Sequence, residues 1–189
     1  MSSNTADARG VYDSRSVALH WATAFLIVGQ WLGAHAIDWF PRGPVRVDAR
    51  SVHILIGLLL LAIVLVRLIW RQTRAQRPEP TGPKAVRALT PMVHWTLYGL
   101  IIAVLTAGVV NGVVRGDSIF GLFNIPAYHP GDKPLRAQVG SIHELLANVL
   151  LMVAGVHAVA AVIHGWMWRD GVLGRMIPSL RPRKIGPPL

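Results

Sequence analysis

The sequence predicts an all-α integral-membrane bundle of four helices with both termini on the cytoplasmic side. Three observations predict it: four apolar segments of membrane length, basic residues gathered at their flanks, and histidines recurring within the apolar runs. Of 189 residues, 52% are hydrophobic and 15% charged, and mean hydropathy is +0.44. Gathered into long runs, that excess belongs to a membrane protein rather than a soluble one. The length suits a single domain spanning 1–189. Cysteine is absent, which excludes a disulfide frame and thiolate metal sites. Any metal or cofactor must be held by nitrogen or oxygen, and eight histidines are available. A formal charge of +10 raises nucleic acid as a partner, but the basic residues flank apolar segments instead of forming one face. In membranes that pattern sets orientation and contacts anionic lipid, so no nucleic-acid role is expected.

Residues 1–14 are polar and lack an apolar run, so no cleaved signal peptide is expected. The first span covers about 16–37, SVALHWATAFLIVGQWLGAHAI, with His20 near its start and His35 near its end; about 20 apolar residues cross a bilayer core. The connector DWFPRGPVRVDARS carries Pro41, Gly43 and Pro44 as breakers, with Trp39 and Phe40 as interfacial anchors. The second span, about 53–70, opens on His53 and ends near Arg67, which can snorkel to the surface. Residues 71–90 read as a polar linker. The third span, about 91–113, has Pro91 at its opening, where proline costs little, and His94 soon after. The loop at 114–140, with Phe120, Phe123, Tyr128 and His129, suits a short lid on the membrane face.

The fourth span, about 142–167, organises the rest. His143 and His157 are fourteen residues apart, which places them on nearly one helix face and about 21 Å apart along the axis. His164 returns to that face seven residues later. An imidazole inside a membrane helix is costly without a partner and marks a functional site by default. Two on one face, most of a bilayer apart, predict two stacked cofactor sites.

Four spans return the chain to its starting side. Lys and Arg number 13 on the side of the termini and six in the two opposite connectors, so the positive-inside rule places both termini in the cytoplasm. Depth then sorts the histidines. His143 and His53 meet toward the outside, His157 and His20 toward the cytoplasm; His35 and His94 compete for the same roles. Haem suits paired neutral imidazoles from different helices of a bundle, whereas zinc asks for three or four ligands close together. Gly29, Gly33, Gly57, Gly108 and Gly155 can open flat space for a porphyrin or simply serve helix packing. Arg67 and Arg71 are placed to meet propionates at the cytoplasmic side.

The chain resembles the bacterial cytochrome b561 family from about Tyr12 to Pro178. The likeness rests on SVALHW around His20, WFPRGPVR, SVHILIGLLLLAIVLVRLIWR from His53, HWTLYGLIIAVLTAGVV, and HELLANVLLMVAGVHAVAAVIHGWMWRDGVLGRMIP. The resemblance implies a cytoplasmic (inner) membrane protein with two b-type haems, one held by His20 and His157, the other by His53 and His143. It aligns His164 with a position implicated in quinone chemistry, where an imidazole suits proton transfer, and His94 with a histidine that is not a ligand. It implies oxidation of superoxide, or another donor, on the outer side and reduction of ubiquinone. The outer connectors offer Arg42, Arg46, Arg50, Lys133 and Arg136 as a positive funnel for an anionic donor. The rival readings are a haem-containing anchor and electron conduit for a separate dehydrogenase or hydrogenase, and a haem-free metal-binding or transport protein.

Overall fold

The computed structural model describes residues 12–75 and 84–168, together with Gly174, Met176 and Ile177. Its elements in chain order are α1 (Ser14–Ile37), α2 (Pro44–Thr73), α3 (Lys84–Arg115), a two-stranded antiparallel hairpin of β1 (Ser118–Ile119) and β2 (Phe123–Asn124), and α4 (Lys133–Ile163). A π-helical turn, His164–Trp168, continues α4. All four helices are long and apolar enough to cross a membrane, and the fold is a four-helix membrane bundle.

Each helix runs past the apolar segment that announces it. Asp13 caps α1, its carboxylate accepting from the Ser16 amide at 2.9 Å and the Ser16 hydroxyl at 2.7 Å; such caps satisfy donors that the first turn leaves open. Pro44, expected to break the chain, instead starts α2, because the first helical turn needs no amide proton. The break is confined to Asp38–Gly43, where Arg46 donates to the Phe40 and Asp38 carbonyls and pairs with the Asp38 carboxylate at 3.5 Å. Pro91 lies inside α3 rather than at its opening. It withholds one helical hydrogen bond, yet the polar turns before it keep the helical course. At the far end α4 already begins at Lys133, with Asp132 accepting from the Leu135 amide at 2.9 Å.

The helices pair as antiparallel hairpins, α1 with α2 and α3 with α4, and touch more sparsely across the bundle. The core lies at mid-depth: Leu60 and Val64 of α2, Tyr98 and Ile101 of α3, and Leu150 of α4. Large apolar side chains such as Phe25, Leu145 and Met152 point outward, each 63–70% exposed. That inversion suits a surface solvated by lipid. Polar residues within the spans bridge helices: Trp31 donates to Asn148 at 2.8 Å, and Gln30 donates to the His53 carbonyl at 2.8 Å, as polar groups surrounded by hydrocarbon must.

The 114–140 region is built rather than loose. Ser51 is fully buried; its hydroxyl accepts from the Phe120 amide at 2.8 Å and lies 2.8 Å from the Val47 carbonyl and 3.1 Å from that of Ser118. Asp117 pairs with Arg50 at 3.2 Å and Arg115 at 3.5 Å. The β-hairpin is thereby clamped to the first turns of α2. This hairpin end of the bundle lies opposite the terminal end, where α1 begins and α4 finishes.

Candidate cofactor sites

Two histidine clusters lie at opposite ends of the core. At the hairpin end, the rings of His53 and His143 face each other with centroids 6.4 Å apart and planes at 87°. A metal bound by one nitrogen of each imidazole, at about 2 Å per bond, separates the centroids by roughly 6 Å, so the pair fits one iron between them. The His143 Nδ1–H donates to the Val104 carbonyl at 3.1 Å. That contact leaves Nε2 as the free lone pair, which is how ligating histidines are usually oriented. The His53 Nδ1 is buried without a hydrogen-bond partner. Gln30 steadies the same helical turn through the His53 carbonyl.

Two glycines shape this site in different ways. A Cβ on Gly108 would lie 3.0 Å from His143 Cε1, so the imidazole packs where only glycine admits it. A Cβ on Gly57 would meet the Gln30 amide nitrogen at 3.1 Å. The space over Gly57 therefore serves Gln30, not the open flat surface its sequence position suggests. Gly29, Gly33 and Gly155 have nothing within 4 Å of their Cβ positions and do offer open surface.

At the terminal end three imidazoles gather with two guanidinium groups. His94 and His157 approach to 5.4 Å between centroids, so the ring of His157 lies against that of His94. His20 is engaged by Arg67, whose Nη2 lies 2.9 Å from His20 Nδ1. A guanidinium can only donate, so Nδ1 accepts and a neutral ring then carries its proton on Nε2. For Nε2 to become a ligand, that proton must move to Nδ1 and Arg67 must take another partner. The guanidinium carbons of Arg67 and Arg71 sit 5.4 and 5.6 Å from the ring centroid of Tyr98, and the Tyr98 hydroxyl is buried without a partner. An anionic carboxylate entering here would find two cations and a hydroxyl; the donor set fits a haem edge.

His35 and His129 stand apart from both clusters. His35 contacts the Trp31 carbonyl at 2.8 Å and stacks on the Trp31 ring at 4.2 Å. His129 lies against Tyr128 in the hairpin-end loop. The side chain of His164 lies outside the described residues; its backbone opens the π turn. Among the described residues no three His, Asp or Glu side chains converge as a metal cage requires. The sequence alone assigns no functional role to Gln30, Ser51 or Tyr98. Ser51 and Gln30 carry one signal visible in sequence, a polar residue beside or within an apolar run.

The prokaryotic cytochrome b561 family matches residues 11–179. The chain belongs to that family. It is 29% identical over 175 residues to the probable superoxide oxidase CybB of Yersinia pestis, covering 90% of this chain and 97% of that one. Over 184 residues it is 27% identical to cytochrome b561 homolog 2 of Escherichia coli (strain K12), covering 92% and 93%. Cytochrome b562 of Cereibacter sphaeroides is 26% identical over 179 residues, covering 91% and 96%. As a family member the chain is a bacterial multi-pass membrane oxidoreductase that carries b-type haem and transfers electrons in the bilayer.

Proposed function

We propose that this chain is a single-domain di-haem cytochrome b of the cytoplasmic membrane that oxidises superoxide on the outer side and reduces ubiquinone. The observation that carries the reading is the His53–His143 pair, 6.4 Å between ring centroids with His143 Nδ1 tied to a backbone carbonyl. The charge bias of 13 Lys and Arg against six assigns the hairpin end to the outside. His53 and His143 then hold the outer haem, and His157 with His20 the inner one once Arg67 exchanges His20 for a propionate. Arg71 and the Tyr98 hydroxyl are poised for the same edge.

A bound haem supplies one-electron iron chemistry at each site. The chain's residues do the rest. The imidazoles would ligate the iron, Gly108 and Gln30 hold the outer pair in position, and the core at Leu60, Val64, Ile101 and Leu150 keeps water out between the sites. Two superoxide ions each give one electron and leave as oxygen; one ubiquinone takes those two electrons together with two protons. His164 is proposed to move a proton in that second half-reaction. Among the funnel residues Arg46 and Arg50 are already paired with Asp38 and Asp117, so their field is partly neutralised and Arg42 is the cleaner attractor.

The test is haem content and the reduced-minus-oxidised spectrum of the purified chain, before and after superoxide and then ubiquinone. Two haems per chain, reduced by superoxide and reoxidised by quinone, are expected. His53→Ala and His143→Ala should each remove the same single haem; retention of both haems would sink the outer pairing. His164→Ala should keep both haems and slow quinone reduction. Two haems indifferent to superoxide would favour a conduit serving a separate dehydrogenase.

A further inference from the structure

The seam between α3 and α4 continues outward from His143 past polar side chains. The helices run antiparallel, with Gly108 against His143 and Asn111 against Gly140: a Cβ on Gly140 would lie 3.9 Å from Asn111 Oδ1. Arg136 is one helical turn beyond Gly140 and seven residues from His143, so it shares their face at about 10 Å of axial rise. Two polar atoms in this seam are buried and unbonded: Asn111 Oδ1 and Arg136 Nε. The neighbouring acids are engaged elsewhere. Asp117 takes Arg50 and Arg115, and Asp132 caps α4.

We propose that Arg136 and Asn111 form a subsite for anionic oxygen above His143, received from a propionate of the outer haem. This rests on the haem reading given above. A guanidinium presents Nε–H and Nη–H as a planar two-donor fork that matches a carboxylate, and a buried N–H left unbonded is costly. Turning the Asn111 amide by half a turn offers Nδ2–H to the same position. The same chemistry would hold a small free anion, the substrate superoxide included, and the two sources give different signatures.

The experiment is a redox titration of the purified, haem-loaded chain, wild type against Arg136→Gln, Arg136→Lys and Asn111→Leu, with haem retention and the second-order rate with superoxide measured on the same samples. A propionate source predicts that Arg136→Gln lowers the outer midpoint potential, since a cation that favours the ferrous state is lost. The inner midpoint should stay put, outer haem should be lost severalfold faster on dialysis, and Arg136→Lys should restore part of the potential. A free-anion source predicts unchanged midpoints, with a severalfold slower reaction with superoxide and a weaker salt dependence; that keeps the subsite and changes its occupant. If Arg136→Gln fails to accumulate, Asn111→Leu, which leaves the charge unchanged, still reads haem retention and the rate with superoxide, and no change in either would overturn the subsite. Unaltered midpoints, retention and rate in both variants would overturn the subsite while leaving the haem reading intact. Absence of an outer haem from the wild type would overturn both.

Discussion

The His143 imidazole is positioned by contacts too small to show in hydropathy: a carbonyl at 3.1 Å on one side and the missing side chain of Gly108 on the other. Gly108→Ala should push the ring off its seat, because a contact of 3.0 Å to an aromatic carbon leaves no room for a methyl group. The stability cost of such overpacking is about 1–3 kcal/mol. The expected result is an altered or lost outer haem spectrum with the inner haem unchanged; identical spectra would show that the ring has slack. Charge at Arg42 belongs to the same scale. Arg42 is exposed, so Arg42→Glu should leave haem content alone and slow reaction with superoxide at low salt. The difference should shrink as salt shortens the screening length, and a rate insensitive to the substitution would remove Arg42 from the approach path.

At the scale of elements, the β-hairpin and the start of α2 behave as one piece. Ser51 lies two residues before His53, and its buried hydroxyl accepts the Phe120 amide. Ser51→Ala would strand that amide, and an unmade buried hydrogen bond costs about 1–3 kcal/mol. The expected outcome is a lower thermal midpoint in detergent and faster proteolytic cleavage within 114–132. Protection equal to wild type would mean that the Asp117 pairs alone hold the hairpin. Gly116 is a second point of rigidity: its φ is +68°, and a Cβ there would overlap Ala127 Cβ at 2.7 Å. The segment expected as a lid is thus a clamped cover on the hairpin end, built from residues whose backbone strain and ion pairs no periodicity announces.

For the whole molecule, the bundle is two helical hairpins with a thin shared core, and its charge bias predicts its orientation. Because the chain contains no cysteine, single cysteines report topology without background. A cysteine at Leu122, 91% exposed at the hairpin tip, should react with an impermeant thiol reagent in intact cells after removal of the outer membrane. One at Ser2 should react only after lysis. The reverse labelling would invert the proposed sidedness and move the superoxide-facing haem to the other pair of histidines.

The sequence by itself determined the class of the protein, its four spans, and the two levels at which histidines recur. Those properties depend on hydropathy and on a 100° step along one helix, and both are written in one dimension. Tertiary structure decided which imidazoles approach each other. His35, at the right depth, turns to Trp31 instead of His53, and His94 comes nearer to His157 than its sequence context suggests. It also decided that Arg67 occupies His20 and that Gln30 fills the space over Gly57. Partner choice of this kind depends on the rotation of each helix about its axis and on the register between neighbours, which are set by packing contacts far apart in the chain. The helices outran their apolar segments for a related reason: caps at Asp13 and Asp132 and proline at a first turn extend a helix into polar sequence, where hydropathy no longer marks its course.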